Sequence, residues 1–166
     1  MIAPFEMGIC VNNLETMITF YRDVLGLTLI SEIDVPSDKS SEAGFTKGGY
    51  RIVRLETNYG ERIKLVKPIL QPGIRSSGEE VLSKSGNIFL TFIVKDLEKT
   101  VKRLKERGVS TRTTGGIMEV RDGVFLSIMD DPEGNHLEFV EYSDINSYRP
   151  GIPKASHSIC PSTAIN

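Results

Sequence analysis

Histidine and cysteine are scarce in this chain, with only His136 and His157 for the one and Cys10 and Cys160 for the other. A non-haem iron oxygenase centre takes two histidines and a carboxylate, so it would consume both histidines, one of them in a polar tail. An iron ring-cleaving dioxygenase is therefore disfavoured. Two cysteines without C-x-x-C spacing make no disulfide framework and are read as free thiols in a reducing compartment. Neither G-x-x-x-x-G-K-[ST] nor G-x-G-x-x-G occurs, which leaves nucleotide hydrolysis and dinucleotide redox chemistry without support. No serine or cysteine stands in a sequence context that marks a nucleophile. No apolar run approaches the roughly 20 residues of a spanning helix, and "MIAPFEMGICV" lacks a basic leader region. A cytoplasmic protein is expected. With a net charge of −2 and a pI near 5.8, there is no basic excess to attract nucleic acid or an anionic membrane, and neither is expected as a partner.

What is present is ordinary in bulk and patterned in detail. The 166 residues, 39% apolar and 25% charged, fit one soluble globular domain or two small halves sharing a core. Two segments share a grammar: "FEMGICVNNLETMITFYRDVLGLTL" and "IFLTFIVKDLEKTVKRLKERGVST". Each opens on an apolar strand-like run, passes through a capping residue (Asn13, Asp96) and Leu-Glu, and continues as an amphipathic helix closed by Gly26 or Gly108. In the first, Leu14, Met17, Ile18, Tyr21, Val24 and Leu25 form one apolar stripe at helical spacing; in the second, Leu97, Val101 and Leu104 do so more sparsely.

Strand-like runs follow each helix: "LTLISEIDV", "YRIVRLET" and "RIKLVK", then "STRTT", "VFLSIMD" and "HLEFVEY". The unit is βαβββ, written twice, with modules at 1–67 and 87–142 and a Pro/Gly/Ser-rich linker at 68–86. Asn58 to Glu61 form a hairpin loop, and "DPEG" suits a type I turn. "PSDKSSEAGFTKG" reads as a long mobile loop, Gly115-Gly116 as a flexible turn, and 143–166 as an arm or tail. "KTVKRLKER" reads as a solvated helix face.

Three stretches together, "VNNLETMITFYRDVLGL", "FIVKDLEKTVKRLKERGV" and "DPEGNHLEF", resemble the vicinal oxygen chelate superfamily, the glyoxalase/bleomycin-resistance/dioxygenase group, over residues 5–142. The resemblance implies an α+β fold in which the paired βαβββ modules curl into a cup, a partly open curved sheet with helices outside. It also implies a homodimer. That fold hosts isomerases, lyases, oxygenases and drug-binding proteins, so it says little about the reaction. Enzymes of the family hold a divalent metal on the first and fourth strands of each module, which here correspond to Glu6, Lys64, Phe89 and Glu138. A protonated lysine has no lone pair and a phenyl ring no donor atom, so the usual centre reads as dismantled and no cofactor is expected. Any metal would need shifted ligands drawn from Glu138, His136, Glu6 and Glu56.

Strand alternation puts Glu6, Gly8 and Cys10, Arg62, Lys64 and Val66, and His136, Glu138 and Val140 on the cup side. The expected arrangement has Lys64 beside Glu6 and Glu138, its ammonium supplying the charge of the missing metal. The function expected is that of a small-molecule lyase or isomerase acting next to a carbonyl. Glu138 moves the proton, Lys64 is the electrophile, and Glu6 or His136 is the second acid/base. Phe89, Arg54, Tyr50, Thr91 and Cys10 are the candidate ligand contacts, Arg54 for a substrate carboxylate. Plainer readings stand beside these: Glu138 and Glu6 as solvated carboxylates, Lys64 snorkelling, His136 structural, Arg54 in a surface salt bridge. The competing classes are a non-catalytic protein that sequesters an aromatic or antibiotic-like ligand, and a metal enzyme with shifted ligands.

Overall fold

A computed structural model describes residues 2–73 and 80–151. The readings made for His157, Cys160, the tail beyond 151 and the middle of the 68–86 linker lie outside the described residues. Module one comprises β1 (Glu6–Cys10), α1 (Leu14–Thr19), β2 (Thr28–Val35), α2 (Ser37–Glu42), β3 (Tyr50–Glu56) and β4 (Arg62–Pro68). Module two comprises β5 (Phe89–Ile93), α3 (Leu97–Glu106), β6 (Met118–Arg121), β7 (Val124–Asp130) and β8 (His136–Tyr142), followed by the short α4 (Ile145–Tyr148). The two four-stranded sheets have matching orders, β1-β4-β3-β2 and β5-β8-β7-β6, and in each the first and last strands of the module pair in parallel. The βαβββ units are those the sequence repeat indicates, and the α+β fold with unclosed curved sheets is the one the family resemblance implies.

Asn13 and Asp96 cap their helices as expected, their side chains accepting hydrogen bonds from the backbone of Thr16 and Lys99. The helix-facing sides of both sheets (Ile9, Val53, Leu55, Ile63, Leu65; Met129, Leu137, Phe139) and the helix stripes (Met17, Ile18, Tyr21; Leu97, Val101, Leu104) form one continuous buried cluster. Polar ties join the modules at its edge. Glu133 accepts from the backbone N–H groups of Asn12 (2.9 Å to each oxygen) and Asn13 (2.6 Å), and Arg103 and Arg107 on α3 donate to the carbonyls of Val24 and Asp23.

Three expectations need correction. The first helix does not run regularly to Leu25: α1 ends at Thr19 and the chain continues as a π-helical turn, Phe20–Val24, with Leu25 N–H bonded to the Phe20 carbonyl at 3.0 Å. The wider turn accompanies Tyr21, which is fully buried and donates its hydroxyl to Asp131 at 2.9 Å. "STRTT" forms only a single bridge, Thr111 to Met129. There the Ile128 carbonyl accepts from the Arg112 backbone N–H at 2.8 Å, but the Ile128 N–H donates to Thr113 Oγ1 at 2.8 Å, so a hydroxyl takes the place of the next backbone acceptor and the pairing stops. The strand lies beyond, at Met118–Arg121, behind a two-residue Asp122-Gly123 loop whose Gly123 has φ +69°.

The loop after β2 is the third. It contains α2, whose buried Ser40 donates to the Thr46 carbonyl at 2.9 Å. It closes on Gly49, where a Cβ would sit 2.6 Å from the Val35 carbonyl oxygen, so only glycine allows the two chain segments to meet. The other turns are as expected: Thr57 and Glu61 close the β3–β4 hairpin, and Gly134 N–H bonds to the Asp131 carbonyl at 3.0 Å.

Candidate functional site

Alternation along β1, β3 and β4 divides the first sheet cleanly. Ile9, Ile63, Leu65, Val53 and Leu55 are buried toward the helices, and the opposite face is arranged in rows by the strand register. One row holds Glu6, Arg62 and Glu56; the next Gly8, Lys64, Arg54 and Ser31; the third Cys10, Val66, Ile52 and Ile33. The first two rows are polar and the third is apolar. Glu6 Oε2 lies 3.6 Å from both Lys64 Nζ and Arg54 Nε, and its Oε1 lies 3.5 Å from Arg62 Nη1, while Arg62 Nε is held at 2.5 Å by Glu56. Three cations therefore face two carboxylates, an excess of one positive charge on partly buried side chains.

Burial pushes the Glu6 carboxyl up, but Lys64, Arg54 and Arg62 together outweigh it and hold the group below the ordinary carboxylate range. A depressed carboxylate stabilises the fold above the unfolded pKa, and that contribution is lost as the pH falls through the folded one. Glu6→Gln should therefore flatten the acid limb of a plot of Tm against pH below the ordinary glutamate range and leave the neutral limb parallel to wild type. An unchanged acid limb would show that the three cations do not hold Glu6 ionised.

The second sheet presents Phe89 beside His136 and Asp130, then Thr91 beside Glu138 and Ile128, then Ile93, Val140, Leu126 and Met118. Glu138 Oε2 accepts from Thr91 Oγ1 at 2.6 Å. His136 Nδ1 is 2.8 Å from Asp130 Oδ1, and Asp130 Oδ2 takes Arg112 Nε at 2.6 Å. The division of faces is weaker here, because His136 and Val140 are buried along with Leu137 and Phe139. β8 has strands on both sides, and α4 folds back onto it with Tyr148 stacked on Tyr142 at 3.9 Å.

The sequence-derived residues thus fall into two groups. Lys64, Glu6 and Arg54 come together, joined to Glu56 through Arg62. Glu138 stands with Thr91, and His136 with Asp130, on the other sheet. Of the expected Lys64, Glu6 and Glu138 grouping the Lys64–Glu6 pair forms, joined by Arg54 and Arg62 because Lys64 and Arg54 are register partners and converge on the same carboxylate; among the described residues no ion pair joins Lys64 to Glu138. Tyr50 is not an open wall: its ring is buried, with Phe45 packed at 5.4 Å. Phe89 is 39% exposed and Cys10 is an exposed free thiol, pushed up by burial and then by Glu133.

Arg62, Ser31, Phe45, Asp130 and Arg112 were not among the candidates. For Arg62 the signal was its strand parity with Lys64; for Asp130 it was the β7–β8 register, which no local pattern displays.

The residues at the family's metal-holding positions do not fit a divalent ion. Lys64 and Phe89 offer no lone pair, Glu6 is already surrounded by cations, and Glu138 is bonded to Thr91. Among the described residues no three His, Cys, Asp or Glu side chains lie close enough to hold a metal, so Glu138, His136, Glu6 and Glu56 do not converge as a shifted set.

Two βαβββ units of matching order, open-faced and backed by helices, define a protein of the paired-module cup class. Residues 3–139 match the Glyoxalase/Bleomycin resistance protein/Dioxygenase superfamily, and the chain belongs to it. A glyoxalase family protein from Bacillus cereus superposes with a TM-score of 0.73 at 20% identity, over 87% of this chain and 96% of that one. The trypanothione-dependent glyoxalase I of Leishmania major gives 0.60 at 21% identity, over 86% and 88%. A glyoxalase I mutant from Zea mays gives 0.62 at 17%, over 86% of this chain and 45% of that one. At such identities the likeness is one of fold. Comparison with curated proteins gives no match. Among the described residues no helix is long and apolar enough to cross a membrane.

Proposed function

We propose that the protein is a metal-independent lyase or isomerase acting on a small cytoplasmic molecule next to a carbonyl group. The observation that carries this reading is the ammonium of Lys64 at a position where the superfamily places a metal ligand, 3.6 Å from Glu6 and beside Arg54. Lys64 and Arg54 both stand beyond good hydrogen-bonding distance from Glu6, so their N–H groups are available to a carbonyl oxygen that gains negative charge. Glu138, with no cation paired to it among the described residues, serves as proton carrier; Thr91 fixes its carboxylate. His136 is the second acid/base, its Nδ1 oriented by Asp130.

The test is turnover of carbonyl compounds by protein purified without chelator, before and after dialysis against EDTA, with metal content measured in parallel. Full retention of turnover is expected. Loss of turnover together with a stoichiometric metal overturns the proposal.

A non-catalytic binding protein is the second reading. It is favoured by Glu6, whose carboxyl Lys64, Arg54 and Arg62 hold below its ordinary value against the push of burial, which works against proton uptake.

The proposal includes a homodimer. Phe89, Ile93, Met118 and Val120 are all more than a third exposed, and the last two lie on β6, at the sheet edge, leaving apolar surface for a second copy to cover. Sedimentation should give twice the chain mass, and Val120→Lys should shift it to one chain mass; a monomeric wild type removes the dimer.

A further inference from the structure

We infer that the helix-free face of the first sheet is a site for an amphiphilic monocarboxylate: Lys64 and Arg54 receive the carboxylate, the backbone at Gly8 is its floor, and Val66, Ile52 and Ile33 take its apolar body. The inference rests on the function proposed above and deepens it, since the carbonyl group is then that of a carboxylate.

Three independent features of the face converge on this ligand. The first is charge. Arg62 is satisfied by Glu56 at 2.5 Å, whereas Lys64 and Arg54 share one oxygen of Glu6 at 3.6 Å each, and among the described residues Arg54 has besides only a 3.4 Å contact to Ser31 Oγ. An ammonium has three donors and a guanidinium five. Most of these have no partner among the described residues, on side chains only 31% and 23% exposed, and the net excess of one positive charge matches a monoanion.

The second feature is space. Gly8 is the register partner of Lys64 in the middle of β1, and a Cβ built there meets nothing within 4 Å. Its φ is not in the left-handed region, so no turn or strain calls for glycine. A glycine inside a strand marks the close approach of a ligand or another backbone. The third is the neighbouring row, about 6.5–7 Å farther along the strands. There the side chains become apolar, with Val66 and Ile52 half-buried and Ile33 43% exposed. A carboxylate over Gly8 thus brings roughly its fifth and later carbons against that row. Glu6 is the built-in competitor, occupying the cations until a ligand carboxylate displaces it.

The test is calorimetric titration of the full chain with acetate, butyrate, hexanoate and octanoate. Affinity should rise about fourfold per methylene placed against the apolar row. Lys64→Met should weaken hexanoate binding tenfold or more. Gly8→Leu should abolish it while the Tm stays at the wild-type value, because the added side chain enters open space. Glu6→Gln should tighten it severalfold.

Equal affinity for acetate and octanoate, tighter binding of methyl phosphate than of acetate, or unchanged hexanoate binding in Gly8→Leu would each overturn the inference. Failure here leaves the proposed function standing if uncharged carbonyl compounds are turned over without metal. If those too are inert, both readings fall.

Discussion

Asp131→Ala is expected to destabilise the protein by about 3 kcal/mol or more, because one buried carboxylate serves four donors at the junction of the modules. Tyr21 hydroxyl (2.9 Å) and Asn135 Nδ2 (2.8 Å) donate to Oδ2, and the backbone N–H groups of Glu133 (3.0 Å) and Asn135 (2.9 Å) donate to Oδ1. Alanine leaves Tyr21, which is fully buried, with no acceptor from this turn, and it unpins the loop from which Glu133 reaches Asn12 and Asn13. For a chain of this length the loss corresponds to a fall in Tm of about 6–12 °C. Asp131→Asn keeps an acceptor oxygen for the two backbone groups and should lose less than half as much. Urea unfolding of both variants measures this, and an alanine variant within 1 kcal/mol of wild type, on the order of a single net hydrogen bond, would exclude the lock.

The two carboxylates also titrate in opposite senses. Burial raises the Asp131 carboxyl, against the pull of its hydrogen bonds, so proton uptake by Asp131 favours the fold as the pH falls through its folded pKa, where Glu6 acts the other way.

Glu138→Gln is expected to lower turnover by about a hundredfold to ten-thousandfold, the range for loss of a general acid/base, with substrate affinity changed only a few-fold. Glutamine retains an oxygen for the Thr91 hydroxyl, which now bonds Glu138 at 2.6 Å, so the local geometry survives and only proton transfer is removed. Steady-state kinetics and direct binding measured on the same preparation separate the outcomes. Undiminished turnover removes Glu138 from the mechanism. Measurable binding with no turnover in wild type establishes the sequestering protein instead.

The fold was legible because its signals are local and repeated. Capped amphipathic stripes, alternation in "EMGICV" and "RIKLVK", and "DPEG" each fix a piece of chain a few residues long; their repetition shows two like βαβββ modules, and the family resemblance supplied how these fold into curved sheets. The errors came where side chains stand in for backbone. "STRTT" has the β-branched composition of a strand, yet the Thr113 hydroxyl takes the Ile128 N–H where a backbone carbonyl would continue the ladder, and the Asp-Gly pair of "RDGV" marked the true hairpin. α2 has little apolar periodicity, only one buried residue and a proline at its start, so composition alone reads it as a loop. Within the site, strand parity placed Glu6 and Lys64 on the same face, but which charges meet is set by cross-strand register. That is why Arg54 and Arg62 surround Glu6 and why Asp130 takes His136, pairings that no linear pattern displays.

The parallel pairing of β1 with β4, and of β5 with β8, has a consequence for synthesis. Each sheet is completed only by the last strand of its own module, so β1 waits for residues 62–66 before it has a partner. The amino-terminal sheet can close while the rest of the chain is still on the ribosome. The acceptor for Tyr21 arrives about 110 positions after it, long past that point, so the nascent half carries an unsatisfied phenol and an open apolar flank until Asp131 emerges. Chaperone dependence or aggregation during translation should therefore concentrate in that interval, between closure of the first sheet and synthesis of the turn before β8.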